Sequence, residues 1–265
     1  MKKITQFAAA ILTMSSVLLP AAEVINLTDK NLWIPVKNVE FSEGKMVNNG
    51  KTMFRSKNVI AIDPAKKYTF KMTMAAAGAE KSSLVLYGMM AAEAKGGAIA
   101  SRYIQSIPGT FTQVAADAKA GDTVLKIKNG SKWSKSPSYG FVACNAKEDN
   151  SDIPNRNIVS IQIADIKHEG DIWVLTLKKP LTKALAANTN IRQHADGGYF
   201  YFGNRTLGKT QVTSTATVTG KTAHGLYAPS KGFHPAMTHA YIVILSDWYN
   251  AKNKIEIKDA TLTIE

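Results

Sequence analysis

Between residues 67 and 74 the chain alternates without exception, with Tyr68, Phe70, Met72 and Met74 apolar and Lys67, Thr69, Lys71 and Thr73 polar. A repeat of two is the period of a strand with one face in a core and one in water, so the spacing predicts such a strand with those four apolar side chains inward. Residues 58–62 precede it across Asp63 and Pro64 and read as its pairing neighbour. Residues 83–90 and 239–245 are apolar on both faces and read as central, covered strands. Residues 36–41, 99–107 and 210–219 supply further strands by composition and by the turn residues that fence them. Near the C-terminal end the apolar phase is odd at Ile255 and Ile257 but even at Leu262 and Ile264. That one-residue slip requires a bulge around Asp259 if both halves serve one core. No helical repeat is sustained anywhere, and residues 89–95 and 182–187 offer one short turn of helix each at most.

The middle of the chain has its own pattern. Residues 121–127, 172–177 and 188–194 are short β-type runs fenced by Gly, Pro or Asn, with a turn at Lys179, Pro180 and Leu181. They read as a compact β-unit inserted into a longer β-domain. The expected fold class is all-β: an antiparallel, jelly-roll-type β-sandwich formed by residues 23–110 and 203–265, with a small β-subdomain inserted at 111–202.

Lys2 and Lys3, an apolar run from residue 7 to 19, and Ala21 and Ala22 follow the charged, apolar, small-residue order of a secretory signal peptide, so residues 1–22 are expected to be removed. The expected location is secreted: periplasmic, cell-surface or extracellular. The apolar run is shorter than the roughly 20 residues a membrane span needs, and no transmembrane segment is expected. Cys144 is the only cysteine and has no partner for an internal disulfide; its apolar neighbours mark it as a small core residue. The chain has 33 basic and 20 acidic residues, a net charge of +13. Without Lys2 and Lys3, the remaining 31 basic residues leave +11, a balance that draws a protein toward anionic polymers. The lysines are scattered and form no run.

The segment through Asp63, Pro64, Lys67, Tyr68 and Phe70, with the final run through Ile255, Ile257, Asp259 and Leu262, resembles the jelly-roll carbohydrate-binding modules of secreted bacterial polysaccharide-degrading systems. The resemblance covers about residues 36–107 and 205–265. The insert, through Gly121, Asp122, Thr123 and Val124 and again through Pro180, Leu181, Thr189, Asn190 and Ile191, is similar to small β-units of phage-tail and adhesin-like surface proteins. The resemblance implies a polysaccharide or glycan partner, with no nucleic acid expected, and a non-catalytic role. A structural or adhesive surface protein is the competing class.

A sugar ring stacks its C–H face on a flat apolar ring whose neighbours hydrogen-bond the hydroxyls, so aromatics in polar, turn-like settings are the candidate contacts. Trp133, Tyr199, Tyr201, Trp248 and Tyr249 have such settings; otherwise each ring plugs an end of the sandwich. If the five line one groove they favour sugar. Trp173 sits inside an apolar strand and reads as core. Arg192, Gln193 and His194, near Tyr199 and Tyr201, are of the residue types that line the sheet of some jelly-roll polysaccharide lyases, which places Arg192 and His194 among the candidate ligand residues and a lyase third among the readings. Asp149 and Asp152 offer hard oxygen ligands of the kind calcium takes, but without the spacing of an EF-hand loop, and the local reading is a solvated turn. No cofactor is expected, because no metal-spaced histidine pair, nucleophile turn, P-loop or dinucleotide fingerprint occurs.

Overall fold

The computed structural model describes residues 22–77, 81–196, 200–221, 232–234 and 236–265; the signal-peptide pattern lies outside the described residues. Seven strands come first: β1 (Glu23–Asn26), β2 (Val39–Ser42), β3 (Lys45–Asn49), β4 (Thr52–Arg55), β5 (Ile60–Ala61), β6 (Lys67–Ala77) and β7 (Ser83–Ala92). Seven more follow: β8 (Thr112–Gln113), β9 (Val124–Ile127), β10 (Phe141–Cys144), β11 (Ile158–Ser160), β12 (Ile163–Glu169), β13 (Ile172–Leu177) and β14 (Asn190–His194). Four close the chain: β15 (Phe200–Leu207), β16 (Val212–Thr219), β17 (His239–Ser246) and β18 (Lys254–Ile264). Every pairing between these strands is antiparallel.

Two sheets make the outer sandwich. One has the order β16-β6-β18-β3-β2, with β1 also on β18; the other has the order β15-β7-β17-β4, with β5 also on β17. Strands consecutive in the chain therefore take matching places in the two sheets: β3 and β4, β6 and β7, β15 and β16, β17 and β18. The alternation of β6 explains why. Tyr68, Phe70, Met72 and Met74 all point into the shared core and are no more than 1% exposed. They meet Tyr87 and Met89 of β7, Phe202 of β15 and Ile257 and Leu262 of β18. Phe70 and Phe202 pack edge to face with centroids 4.7 Å apart. Burying each such side chain contributes roughly 1.5–3 kcal/mol.

The slip in the last strand is a bulge: the register of β18 on β6 shifts between Lys258 and Thr261, and Asp259 has φ +48°. β3 pairs with the half before the bulge and β1 with the half after it. Three expectations fail. β5 pairs with β17 rather than with β6, because the chain crosses the core at Asp63 and Pro64, where the Asp63 N–H donates to the Tyr68 hydroxyl at 2.8 Å. Residues 99–107 hold a 3-10 turn at Ser101–Tyr103 instead of a strand. Neither short helix forms: Met89 to Ala92 continue β7, and the 182–187 segment is tied by reciprocal backbone bonds between Ala118 and Leu185.

The seven middle strands form a four-stranded sheet, β11-β10-β14-β8, and a three-stranded one, β12-β13-β9. They enclose a second core that includes Leu125, Ile127, Val142, Cys144, Leu175 and Ile191. The chain reaches this unit after β7 and returns into β15, which pairs with β7 from Phe200 to Leu207, so β15 runs across the expected 202/203 boundary. The seam is held by Arg102 with Asp196, by Arg156 with Glu93, and by the Asn155 N–H on the Tyr103 carbonyl. In β17, His239 lies opposite Ala92 and Leu245 opposite Leu86, so the 247–252 loop is at the end of the sandwich away from the insert. No helix among the described residues is long and apolar enough to cross a membrane.

Candidate functional site

Trp248 and Tyr249 sit in the loop that joins β17 to β18, 40% and 60% exposed. Three of the six residues from Asp247 to Lys252 have left-handed backbone: Asp247 (φ +53°), Asn250 (φ +53°) and Lys252 (φ +58°). Such positions persist only where surrounding contacts hold them. Asp247 supplies the hold. Fully buried, its Oδ1 accepts from the Ser83 hydroxyl at 2.5 Å and the Ala251 N–H at 3.1 Å, while its carbonyl accepts from Asn250 N–H at 2.7 Å. The Trp248 N–H donates to the Leu84 carbonyl at 2.8 Å. Ser246 donates to Asn48 at 2.7 Å, Asn48 to the Gly50 carbonyl at 2.7 Å, and Asn253 to the Lys81 carbonyl at 2.8 Å. Gly50 N–H donates back to the Asn253 carbonyl at 3.0 Å. The same network places Lys51, whose Nζ lies 4.0 Å from the centroid of the Trp248 ring. Two flat rings and a cation thus project from a backbone that is already fixed.

The other candidate residues are placed differently. Trp133 is buried in the insert core, 7% exposed, and its indole N–H donates to the Thr110 carbonyl at 2.9 Å. It holds a structure together and offers no face to a ligand, so the five aromatics do not line one groove. Tyr199 lies outside the described residues, as does the side chain of Tyr201. Trp173 is half-buried, stacked on His168 with centroids 4.6 Å apart, rather than wholly core.

Arg192 and His194 are buried side by side on β14. Arg192 donates from Nε to His194 Nε2 at 3.1 Å, from Nη1 to the Lys147 carbonyl at 2.8 Å, and from both Nη atoms to the Asp152 carboxylate at 3.2 and 3.0 Å. His194 Nδ1 donates to the Arg102 carbonyl at 2.7 Å, which leaves Nε2 as the acceptor and the ring neutral. Burial and the adjacent guanidinium push its pKa down to about 4, against the opposing effects of the Arg102 carbonyl and Asp152. Gln193 between them accepts from Ser134 N–H and donates to the Ser134 and Tyr139 carbonyls. The three β14 residues of the lyase reading, Arg192, Gln193 and His194, are therefore engaged inside the protein.

Asp152 is spent on Arg192 and Asn155. Burial alone would raise its pKa, but hydrogen bonds from Asn155, Arg192 and the Lys147 N–H, with the guanidinium charge, outweigh that and hold it below the usual carboxylate value. Asp149 is exposed and caps the Ser151 N–H at 3.0 Å. Among the described residues no three His, Cys, Asp or Glu side chains stand close enough to share a metal ion. Cys144 is buried, and burial raises its thiol pKa against the lowering effect of Lys183, as suits a core residue. Reading the sequence missed Lys51 and Asp247. Asn48, Asn49 and Gly50 read as a turn just before Lys51, but nothing local ties that turn to a tryptophan almost two hundred positions away. No protein-family model, no curated protein and no solved structure matches the chain.

Proposed function

We propose that the protein is a secreted, non-catalytic carbohydrate-binding protein that holds a polysaccharide, preferably an anionic one, on the Trp248 loop. The observation that carries this reading is the pair of adjacent exposed rings on a loop whose backbone is pinned by the buried Asp247. A loop whose backbone is fixed before binding loses little further entropy when a sugar stacks on its rings. Lys51 beside Trp248 and the exposed Lys252 add positive charge at the contact. The strand order supports a jelly-roll architecture, since consecutive strands face each other across the core in two wrapped pairs of hairpins.

The test is titration of the full chain with one neutral and one acidic polysaccharide, for example xylan and polygalacturonate, at low and high salt. Trp248→Ala is expected to weaken binding of both at least ten-fold while leaving the thermal midpoint unchanged. Lys51→Ala is expected to weaken the acidic polymer alone. Raising salt from about 0.05 to about 0.5 M shortens the screening length severalfold and should weaken the acidic polymer far more than the neutral one. Absence of binding across a broad glycan panel, or a Trp248 variant that binds as well as the parent, would move the assignment to a structural or adhesive surface protein.

A further inference from the structure

At the opposite end of the molecule a cleft of about 320 Å³ opens between the 106–109 segment and the insert, lined in part by Ser106, Phe111, Asn129, Glu148, Asn150 and Arg192. Its volume is at the lower end of small-molecule sites. We infer that this cleft is a second binding site, separate from the Trp248 loop, for a neutral, hydroxyl-rich ring of the size of one or two sugar units.

Three features carry the inference. Ser106 is 1% exposed, and its Oγ has no hydrogen-bond partner. A buried hydroxyl left unpaired has lost its water without a replacement partner, and a ligand hydroxyl reaching the cleft wall would supply one. Phe111 is half-buried yet belongs to neither apolar core, so its ring is a wall of the cleft and not a part of the packing. A sugar C–H face is the surface such a ring stacks on when its surroundings are polar. The remaining lining supplies hydrogen bonds without net positive charge. Asn129 uses its carbonyl oxygen on Ser131, which leaves its amide N–H groups to donate. Arg192 has its charge balanced by Asp152 and, with four N–H groups committed, keeps one Nη2 N–H.

Charge then selects the ligand class. Glu148 stands exposed at the cleft and repels an anion, while the cleft lacks the cluster of hard ligands a cation needs. What fits is a ligand that both donates and accepts hydrogen bonds and carries no charge. The Trp248 loop combines rings with lysine; this cleft combines a ring with amides and a carboxylate. The two sites therefore favour different sugars.

Saturation-transfer NMR on the full chain, with methyl glucoside and methyl glucuronide as probes, tests this directly, because the two differ only at C6, a neutral hydroxymethyl in one and a carboxylate in the other. Methyl glucoside is expected to show transfer and methyl glucuronide at least five-fold weaker binding. Phe111→Ala should weaken methyl glucoside at least ten-fold, whereas Trp248→Ala should leave it unchanged, so failure here is separable from failure at the loop. Should Phe111→Ala not fold, the exposed Glu148→Gln gives an independent reading: it should bring methyl glucuronide to within two-fold of methyl glucoside. No transfer from methyl glucoside at tens of millimolar, tighter binding of the charged probe to the parent, or loss of methyl glucoside binding through Trp248→Ala would overturn the assignment.

Discussion

Trp133 and Trp248 have near-identical local surroundings in the sequence, polar and turn-like, yet one ring is buried and the other is at the surface. The difference comes from Gln193, whose side chain binds Ser134 across a separation of 59 residues and folds the 131–139 loop back over the insert. No local pattern announces that contact, which is why the strand phases were legible and the fate of this ring was not. The same part of β14 gives a pH dependence. His194 is held neutral in the folded protein with a pKa of about 4, below the ordinary 6.5, whereas the unfolded chain takes up the proton near the ordinary value. Between those two values the unfolded state binds more protons, so the stabilisation is fully present above about pH 6.5 and is lost as the pH falls toward 4. The loss is on the order of 3 kcal/mol. Urea denaturation from neutral pH downward should show the decline in the parent and a flatter curve in His194→Gln, which keeps a donor and an acceptor but does not titrate. Parallel curves for the two proteins would show that another group is responsible.

At the scale of elements, alternation was a sufficient guide wherever a strand had one dry and one wet face, as in β6. Local composition failed at residues 99–107, where Ile99, Tyr103, Ile104 and Ile107 lie four, one and three positions apart, nearer a helical interval than an alternating one, and the chain makes a 3-10 turn there. It also failed to predict the partner of β5, since proximity across an Asp-Pro turn does not say whether the chain turns back or crosses the core. The bulge in β18 was legible from the change of phase and has a testable consequence. Between Lys258 and Thr261, β18 advances three residues while β6 goes from Thr73 to Lys71. Deleting Asp259 removes the extra residue and makes the apolar phase continuous, with Ile255, Ile257, Leu262 and Ile264 all still inward. The deletion should cost about 1 kcal/mol. Deleting Thr69 from β6 instead throws Tyr68 out of the core, a loss of about 3–5 kcal/mol. Equal losses in urea midpoint for the two deletions would show that the bulge is needed for more than register.

For the molecule as a whole, turn residues separate the strands but do not order them. Order depends on contacts such as Ser83 with Asp247, 164 positions apart, and on which faces share a core. The charge has a similar limit. Among the described residues seven ion pairs form, and only Arg192 with Asp152 is buried; the others are exposed enough to contribute little stability each. The excess of lysine thus acts outward as a field and does little to bind the fold together.

The chain enters the insert from the end of β7 and leaves it into the start of β15, and these strands are hydrogen-bonded neighbours. In mechanical terms the insert hangs from the sandwich by two adjacent antiparallel cords, both attached at the same end. A pull on the insert along the strand axes loads the bonds between β7 and β17 in shear, where seven register pairs must give together. A pull across the sheet from β2 to β16 would peel its bonds one after another. Force spectroscopy with handles at Ser131 and Lys252 should therefore record a markedly higher rupture force than handles at Ser42 and Thr215, and equal forces would refute the shear geometry. A protein anchored at the Trp248 end and loaded through its insert would be pulled along its strongest axis.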